Sequence, residues 1–190
     1  MKIGVLVIGQ IDAEIGERVR ERLSSDFEGF QAEVISEPMP VPEDAFNATR
    51  RQYDADVILR HIDDFAERAV GFDRVLGIVD ADVFSSGLNF VFGVAEHPGK
   101  AALVSPWRLR PEFYGQSSKR ELFFERCAKE AFHELGHTLG LDHCSNPFCV
   151  MHFSNTIVET DVKKSLFCGQ CSVKVEMAID KMRANFEREV

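Results

Sequence analysis

Residues 133 to 144 read HELGHTLGLDHC, a stretch that holds three of the chain's six histidines and runs His143 directly into Cys144. Neutral imidazoles and thiolates are the side chains that hold zinc, so the spacing is a chemical question. His133 and His137 are separated by one helical turn, which places both rings on one face, about 40° apart, where they reach one ion together. Glu134 lies about 100° round from His133. It is too displaced for a third ligand but placed to meet a water at the ion as a general base. Gly140 follows where the helix has to stop with a positive φ, and the reversal lets His143 return to the same ion. Three neutral histidines and one open position describe a catalytic zinc site, in which the ion lowers the pKa of its water to about 7 and polarises a carbonyl oxygen. The bland reading, an amphipathic helix with incidental histidines, has to produce five fixed positions by coincidence.

Four of the five cysteines make a second pattern, Cys144 and Cys149 followed by Cys168 and Cys171. Two close pairs of thiolates match a closed, tetrahedral structural zinc site, with two disulfides or an iron-sulfur cluster as the competing readings. The boundary between the two sites then falls between His143 and Cys144, whose side chains point to opposite sides of an extended segment. Cys127 falls off the ligand face among apolar residues and reads as an inert core thiol. His61 and His97 have no ligand partner at usable spacing and read as surface or hydrogen-bonded residues. His152 is near enough to the pattern to be watched.

These residues need a scaffold, and 190 residues with 45% hydrophobic content bury one substantial core. No segment reaches the roughly 18 apolar residues of a membrane span, and MKIGVLVIGQ lacks the features of a signal peptide. A cytoplasmic protein is expected. The net charge of -9 repels phosphate backbones, which argues against nucleic acid as a partner. A monomer is the default.

Apolar periodicity predicts a strand over 3–8, a helix over 11–27, a strand over 31–37, a proline-marked loop over 37–54 and a helix over 54–69. Strands follow over 74–84, 88–96 and 101–107. A long amphipathic helix over 117–137, with Ser117 or Ser118 as N-cap, carries His133 and His137. The closing helix over 173–190 sets Val175, Ile179, Met182 and Phe186 on one face. The expected architecture is α/β (α+β): a twisted mixed sheet with the histidine-bearing helix, and a small Cys-rich, zinc-stapled C-terminal subdomain. The whole chain, 1–190, is one domain, with an upper subdomain over 1–140 and a lower one over 141–190.

HELGHTLGLDH fits the extended zinc signature of the metzincin metallopeptidases, and Met151 falls where their Met-turn lies. Cys144, Cys149, Met151, Cys168 and Cys171 together resemble the archaemetzincin family in particular. RRQYDADVIL, LNFVFGVA and the stretch from Cys127 to Met151 are also similar to that family. The resemblance implies a metzincin-type fold, with His133, His137 and His143 on a catalytic zinc, Glu134 as base and Met151 packed beneath the metal. It further implies that LNFVFGVAE is the edge strand of a cleft that binds an extended peptide by adding it to the sheet. Where some metzincins place a tyrosine two residues after the methionine, this chain has Phe153, so no phenol is available there for the oxyanion. The expected protein is a zinc-dependent peptidase with two zinc ions per chain. The rival readings are a non-catalytic zinc protein that binds peptides or partners through the same cleft, and a zinc-ribbon-like nucleic-acid module, which the acidic excess disfavours.

Overall fold

The computed structural model describes residues 1–189, with the side chains of 185–189, Phe186 among them, outside the description. The chain opens with β1 (Lys2–Ile8), α1 (Ala13–Asp26) and β2 (Gln31–Val34), then makes a short hairpin of β3 (Phe46–Asn47) and β4 (Gln52–Asp54) before α2 (Ala55–Arg68). Next come β5 (Arg74–Val79), β6 (Val83–Phe84), β7 (Gly93–Ala95) and β8 (Ala101–Val104), and finally α3 (Arg120–Thr138), α4 (Ile157–Val162) and α5 (Gly169–Glu189). The main sheet has the order β2-β1-β5-β8-β7, parallel except for β7, which runs antiparallel to β8 at the edge. A second small sheet joins β3, β4 and β6.

The period-two alternation of the strands divides the core. Ile3 and Val5, Leu76 and Ile78, Ala102 and Val104 face the layer of α1 and α3. Their neighbours Leu6 and Ile8, Val75 and Val79, Ala101 and Leu103 face α2 on the opposite side. Strands apolar on both faces are what a mostly parallel sheet between helical layers requires.

The sequence expectations hold for the order of the larger elements, miss the β3–β4 hairpin inside the expected loop and helix α4, and fail at several boundaries. The strand expected over 74–84 is two strands in two sheets. Asp80 and Asp82, just past β5, are pulled out by bidentate ion pairs at 2.6–2.7 Å to Arg110 and Arg108. The strand expected over 88–96 shrinks to Gly93–Ala95, because the carbonyls of Leu88 and Asn89 accept from the Arg50 and Gln52 side chains instead of a neighbouring strand. Neither Ser117 nor Ser118 caps the long helix, which starts at Arg120 with no side-chain cap. The last helix starts four residues early, at Gly169. That puts Cys168 at its N-terminus and Cys171 in its first turn.

The histidine-bearing α3 is not amphipathic in effect, since every residue from Arg126 to Gly136 is buried. Its polar side is covered by the α4 segment, and the charges survive burial by pairing. Arg126 makes two 2.7 Å bonds to Asp161 and donates to the Leu109 carbonyl, and Lys129 meets Glu125 at 2.8 Å. In each pair the cation is buried and the carboxylate half-exposed, so removing the carboxylate would strand a buried charge. The helix is thereby clamped on both flanks, which fixes where its last turns present their side chains.

Candidate active site

His133 and His137 leave α3 one turn apart, and each has its Nδ1 on a backbone carbonyl: His133 on Val150 O at 2.8 Å and His137 on Leu141 O at 2.7 Å. A carbonyl only accepts, so Nδ1 carries the proton and Nε2 is left with a lone pair. The two Nε2 atoms face each other at 3.1 Å. Two inward lone pairs at that distance repel unless a cation lies between them, and nitrogens bound to one tetrahedral zinc at ~2.0–2.1 Å are separated by about 3.3 Å.

The third imidazole arrives as expected. Gly140 has φ +83°, its N–H bonds the His137 carbonyl at 2.8 Å, and the Leu141 N–H bonds back to Gly136 at 3.1 Å. The reversed chain sets the His143 ring 4.8 Å from His137 and 5.3 Å from His133. One ring nitrogen from each of the three lies within 4.8 Å of the others. Burial lowers the pKa of His133 well below its ordinary value, lowers that of His137 to about 4 and depresses that of the more exposed His143. All three are therefore neutral at pH 7, the form that binds metal.

Glu134, beside His133, is 5% exposed. Burial, and then the neighbouring Glu130 carboxylate, raise its pKa well above the carboxylate range. A raised pKa makes the carboxylate a stronger base towards a proton than an exposed glutamate. It borders an open cleft of about 230 Å³ with His133 and Glu130 on the floor, the 88–93 segment as one wall and Phe153–Asn155 as the other. Phe153 lies with its ring 4.8 Å from His143. Met151 is fully buried, with its sulfur against Gly136 of α3.

The cysteines form a second cluster. The sulfurs of Cys144, Cys149, Cys168 and Cys171 lie within 4.8 Å of one another, and Cys144 and Cys168 are 3.9 Å apart. Sulfurs bound to one tetrahedral zinc at ~2.3 Å are separated by about 3.8 Å. All five cysteines are free, so the two-disulfide alternative does not describe this geometry. At the head of α5, the Cys171 N–H bonds the Cys168 sulfur and lowers that thiol to about 7. The junction between the clusters is gripped from both sides: Cys144 N–H donates to Met151 O at 2.9 Å, and His152 Nδ1 donates to Cys144 O at 2.9 Å.

Comparison with known proteins agrees with this geometry. The model of peptidase family M54 matches residues 6–177. The chain belongs to the archaemetzincins, peptidase family M54. The archaemetzincin of Pyrococcus furiosus is 42% identical over 176 residues, covering 90% of this chain and 91% of that one. That of Pyrococcus horikoshii is 50% identical over 136 residues, 70% of each chain. Among solved structures, the archaemetzincin of Archaeoglobus fulgidus complexed with malonate superposes with a TM-score of 0.77 at 36% identity, covering 92% of this chain and 99% of that one. A zinc-dependent peptidase from Methanocorpusculum labreanum gives a TM-score of 0.81 at 30% identity, covering 91% and 99%. The protein is thus a zinc metallopeptidase, a hydrolase acting on peptides, with the expected mixed α/β fold. No helix among the described residues is long and apolar enough to cross a membrane.

Within this archaemetzincin fold, three positions matter that sequence reading did not single out. A Cβ on Gly93 of β7 would lie 2.6 Å from both the Glu134 carboxylate and the Leu103 carbonyl, and one on Gly136 would lie 2.3 Å from Met151 Sδ. The only signal for either was a glycine inside a periodic element, which marks a close approach. Lys163, with its side chain fully buried, meets Glu130 at 2.9 Å, a pairing across 33 positions that no local pattern reveals. His61 is exposed beside Asp44, as expected, and Cys127 is buried with its thiol pKa pushed up by desolvation. His97, like His61, is half-exposed: its ring lies 5.6 Å from His137 and its Nε2 3.4 Å from Asp142, at the rim of the histidine cluster.

Proposed function

We propose that His133, His137 and His143 hold the catalytic zinc, that Glu134 is the general base, and that Cys144, Cys149, Cys168 and Cys171 hold a second, structural zinc. The observation that carries this reading is the pair of Nε2 lone pairs facing each other at 3.1 Å beside a buried carboxylate on an open cleft. When bound, zinc supplies a Lewis acid that acidifies water and polarises a carbonyl oxygen.

The chain's own groups do the rest. Glu134 accepts a proton from a water in the cleft as that water attacks the peptide carbonyl, and then delivers the proton to the leaving amine. Its raised pKa suits the second half of that cycle, and Gly93 leaves the room it needs to turn. Strand β7 is hydrogen-bonded to β8 on one side and ends the sheet, so its free edge can align an extended peptide as an added strand. The carbonyls of Val150 and Leu141 hold two imidazoles in the ligating tautomer. Met151 and Gly140 shape the site without touching substrate. We also read residues 1–140 as the upper subdomain and 141–190 as the lower one, meeting at the cleft. The reduced cysteines favour a cytoplasmic setting.

The test is Glu134→Gln, read by metal analysis and peptide hydrolysis together. Zinc content stays as in the parent protein while turnover drops about 10²–10⁴-fold. Turnover retained at full zinc content refutes the assignment of the base.

A further inference from the structure

Glu130 precedes Glu134 by one turn on α3, and its carboxylate lies on the floor of the same cleft. It is 3% exposed, and both of its protein contacts fall on one oxygen. Lys163 Nζ lies 2.9 Å from Oε1, and the Thr160 hydroxyl donates to Oε1 at 3.2 Å. Oε2 accepts no hydrogen bond from a described residue. It is also not among the buried side-chain atoms sealed away from solvent without a hydrogen-bond partner. The free oxygen is therefore the part of Glu130 open to the cleft.

Above it the walls carry Leu88, Phe90, Phe92 and Phe153, interleaved with the polar Asn89, Ser154 and Asn155. An acceptor without a donor beneath three phenylalanine rings fits a side chain with an apolar shaft and a donor at its tip. Lys163 already balances the charge of Glu130, and a second ammonium would have to leave water to reach this floor. A neutral donor on an aromatic ring meets both conditions.

We propose that this cleft selects a tyrosine-type residue of the substrate next to the scissile bond, with Glu130 Oε2 accepting the phenol O–H. The inference rests on the reading of the cleft as the catalytic one. It assigns Glu130 as a specificity-determining residue and Lys163 as the group that positions its carboxylate.

The experiment uses the zinc-loaded full chain and matched peptides carrying Tyr or Phe, and Lys or norleucine, on either side of the scissile bond. The Tyr peptide is cleaved with kcat/KM about tenfold above its Phe partner, the scale of one hydrogen bond to a charged acceptor. In Glu130→Met combined with Lys163→Met, an apolar replacement of the whole pair, the Tyr-to-Phe ratio falls to about one. Equal cleavage of Tyr and Phe peptides by the unsubstituted protein overturns the proposal whether or not the variant folds. Preference for Lys over Tyr also overturns it, since charge and not a neutral donor would then be read. If no peptide is cleaved, the catalytic assignment is what fails. Binding of the same peptides by fluorescence anisotropy then decides the selectivity, with Tyr about tenfold tighter than Phe expected and equal affinity contrary.

Discussion

The histidine cluster and the cysteine cluster meet at one peptide bond yet are built on opposite principles. The histidines are three donors, two from a single buried helix, with their far nitrogens tied to backbone carbonyls and a cleft opening beside them. The cysteines are four donors from two separate segments, 144–149 and 168–171, which close on one another and pin the chain after Gly140 to the head of α5. A tetrahedral ion among four thiolates has no position left, whereas one among three imidazoles keeps a place for water and substrate. On the proposed reading, chemistry and stapling are divided by donor count, and the backbone at His143–Cys144 is where the one would depend on the other.

The contrast is broken most severely from the cysteine side. Cys171→Ser leaves three thiolates and should lose the second metal together with much of the thermal stability, because a structural zinc contributes its binding free energy to folding, on the order of 10 kcal/mol in small zinc modules. Metal analysis and thermal melts check both parts. A variant that loses one zinc and melts like the parent would show the cysteines to be no staple.

Graded chelation of the intact protein comes next. The parent should carry two zinc ions, and the first to leave should abolish hydrolysis while the melting curve still shows a cooperative fold. Loss in the reverse order, or one ion with four titratable thiols at the start, contradicts the division of roles.

A subtler break is Cys144→Ser, which leaves the histidines in place and loosens only the clip that holds His143. Zinc affinity at the histidines should fall about 10–100-fold, the scale for groups that orient ligands. Unchanged affinity means that the clusters are adjacent and uncoupled.

Acid sharpens the comparison in the metal-free protein. Burial holds His133 and His137 neutral in the fold, with the pKa of His137 at about 4, while in the unfolded chain a histidine titrates near its ordinary value of 6.5. As pH falls below 6.5 the unfolded chain binds protons that the fold refuses, so stability is unaffected above that point and is lost progressively toward pH 4. The parent and a His133→Gln variant, both metal-free, melted across this window should diverge, with the parent losing more.

What the sequence made legible follows from how local each feature is. His133, His137, Gly140 and His143 fall within eleven residues, so helical pitch and one glycine turn fix their convergence before any tertiary contact is known. Cys144 and Cys168 sit far apart in the chain, but thiolate pairs announce themselves by residue type. The supports do not. Arg126 reads as one charge on a helical face until Asp161 is seen to cover it, and the same holds for Glu130 and Lys163. Helix α4 went unread although Thr156 and Glu159 form the capping box that opens it, a local signal hidden by the short length of the helix. The edge strand was overextended because side chains of Arg50 and Gln52, nearly forty positions away, satisfy the carbonyls that a longer ladder would have used.

The smallest expected effect is also the most local. Gly93 is where the sheet edge and the zinc helix approach most closely at the cleft, and the methyl of an alanine would meet the Glu134 carboxylate and the Leu103 carbonyl at 2.6 Å. Leu103 belongs to a paired strand and cannot retreat, so the carboxylate has to turn away. Gly93→Ala should therefore lower kcat about tenfold through a misplaced base, with both metals retained and the melting temperature lowered, because the methyl still meets the Leu103 carbonyl. That combination separates the position from the cysteines, whose loss removes metal and fold together. An alanine variant with unaltered kcat would show that Glu134 has slack at the edge strand, and the histidine side of the comparison would then be less tightly built than the cysteine side.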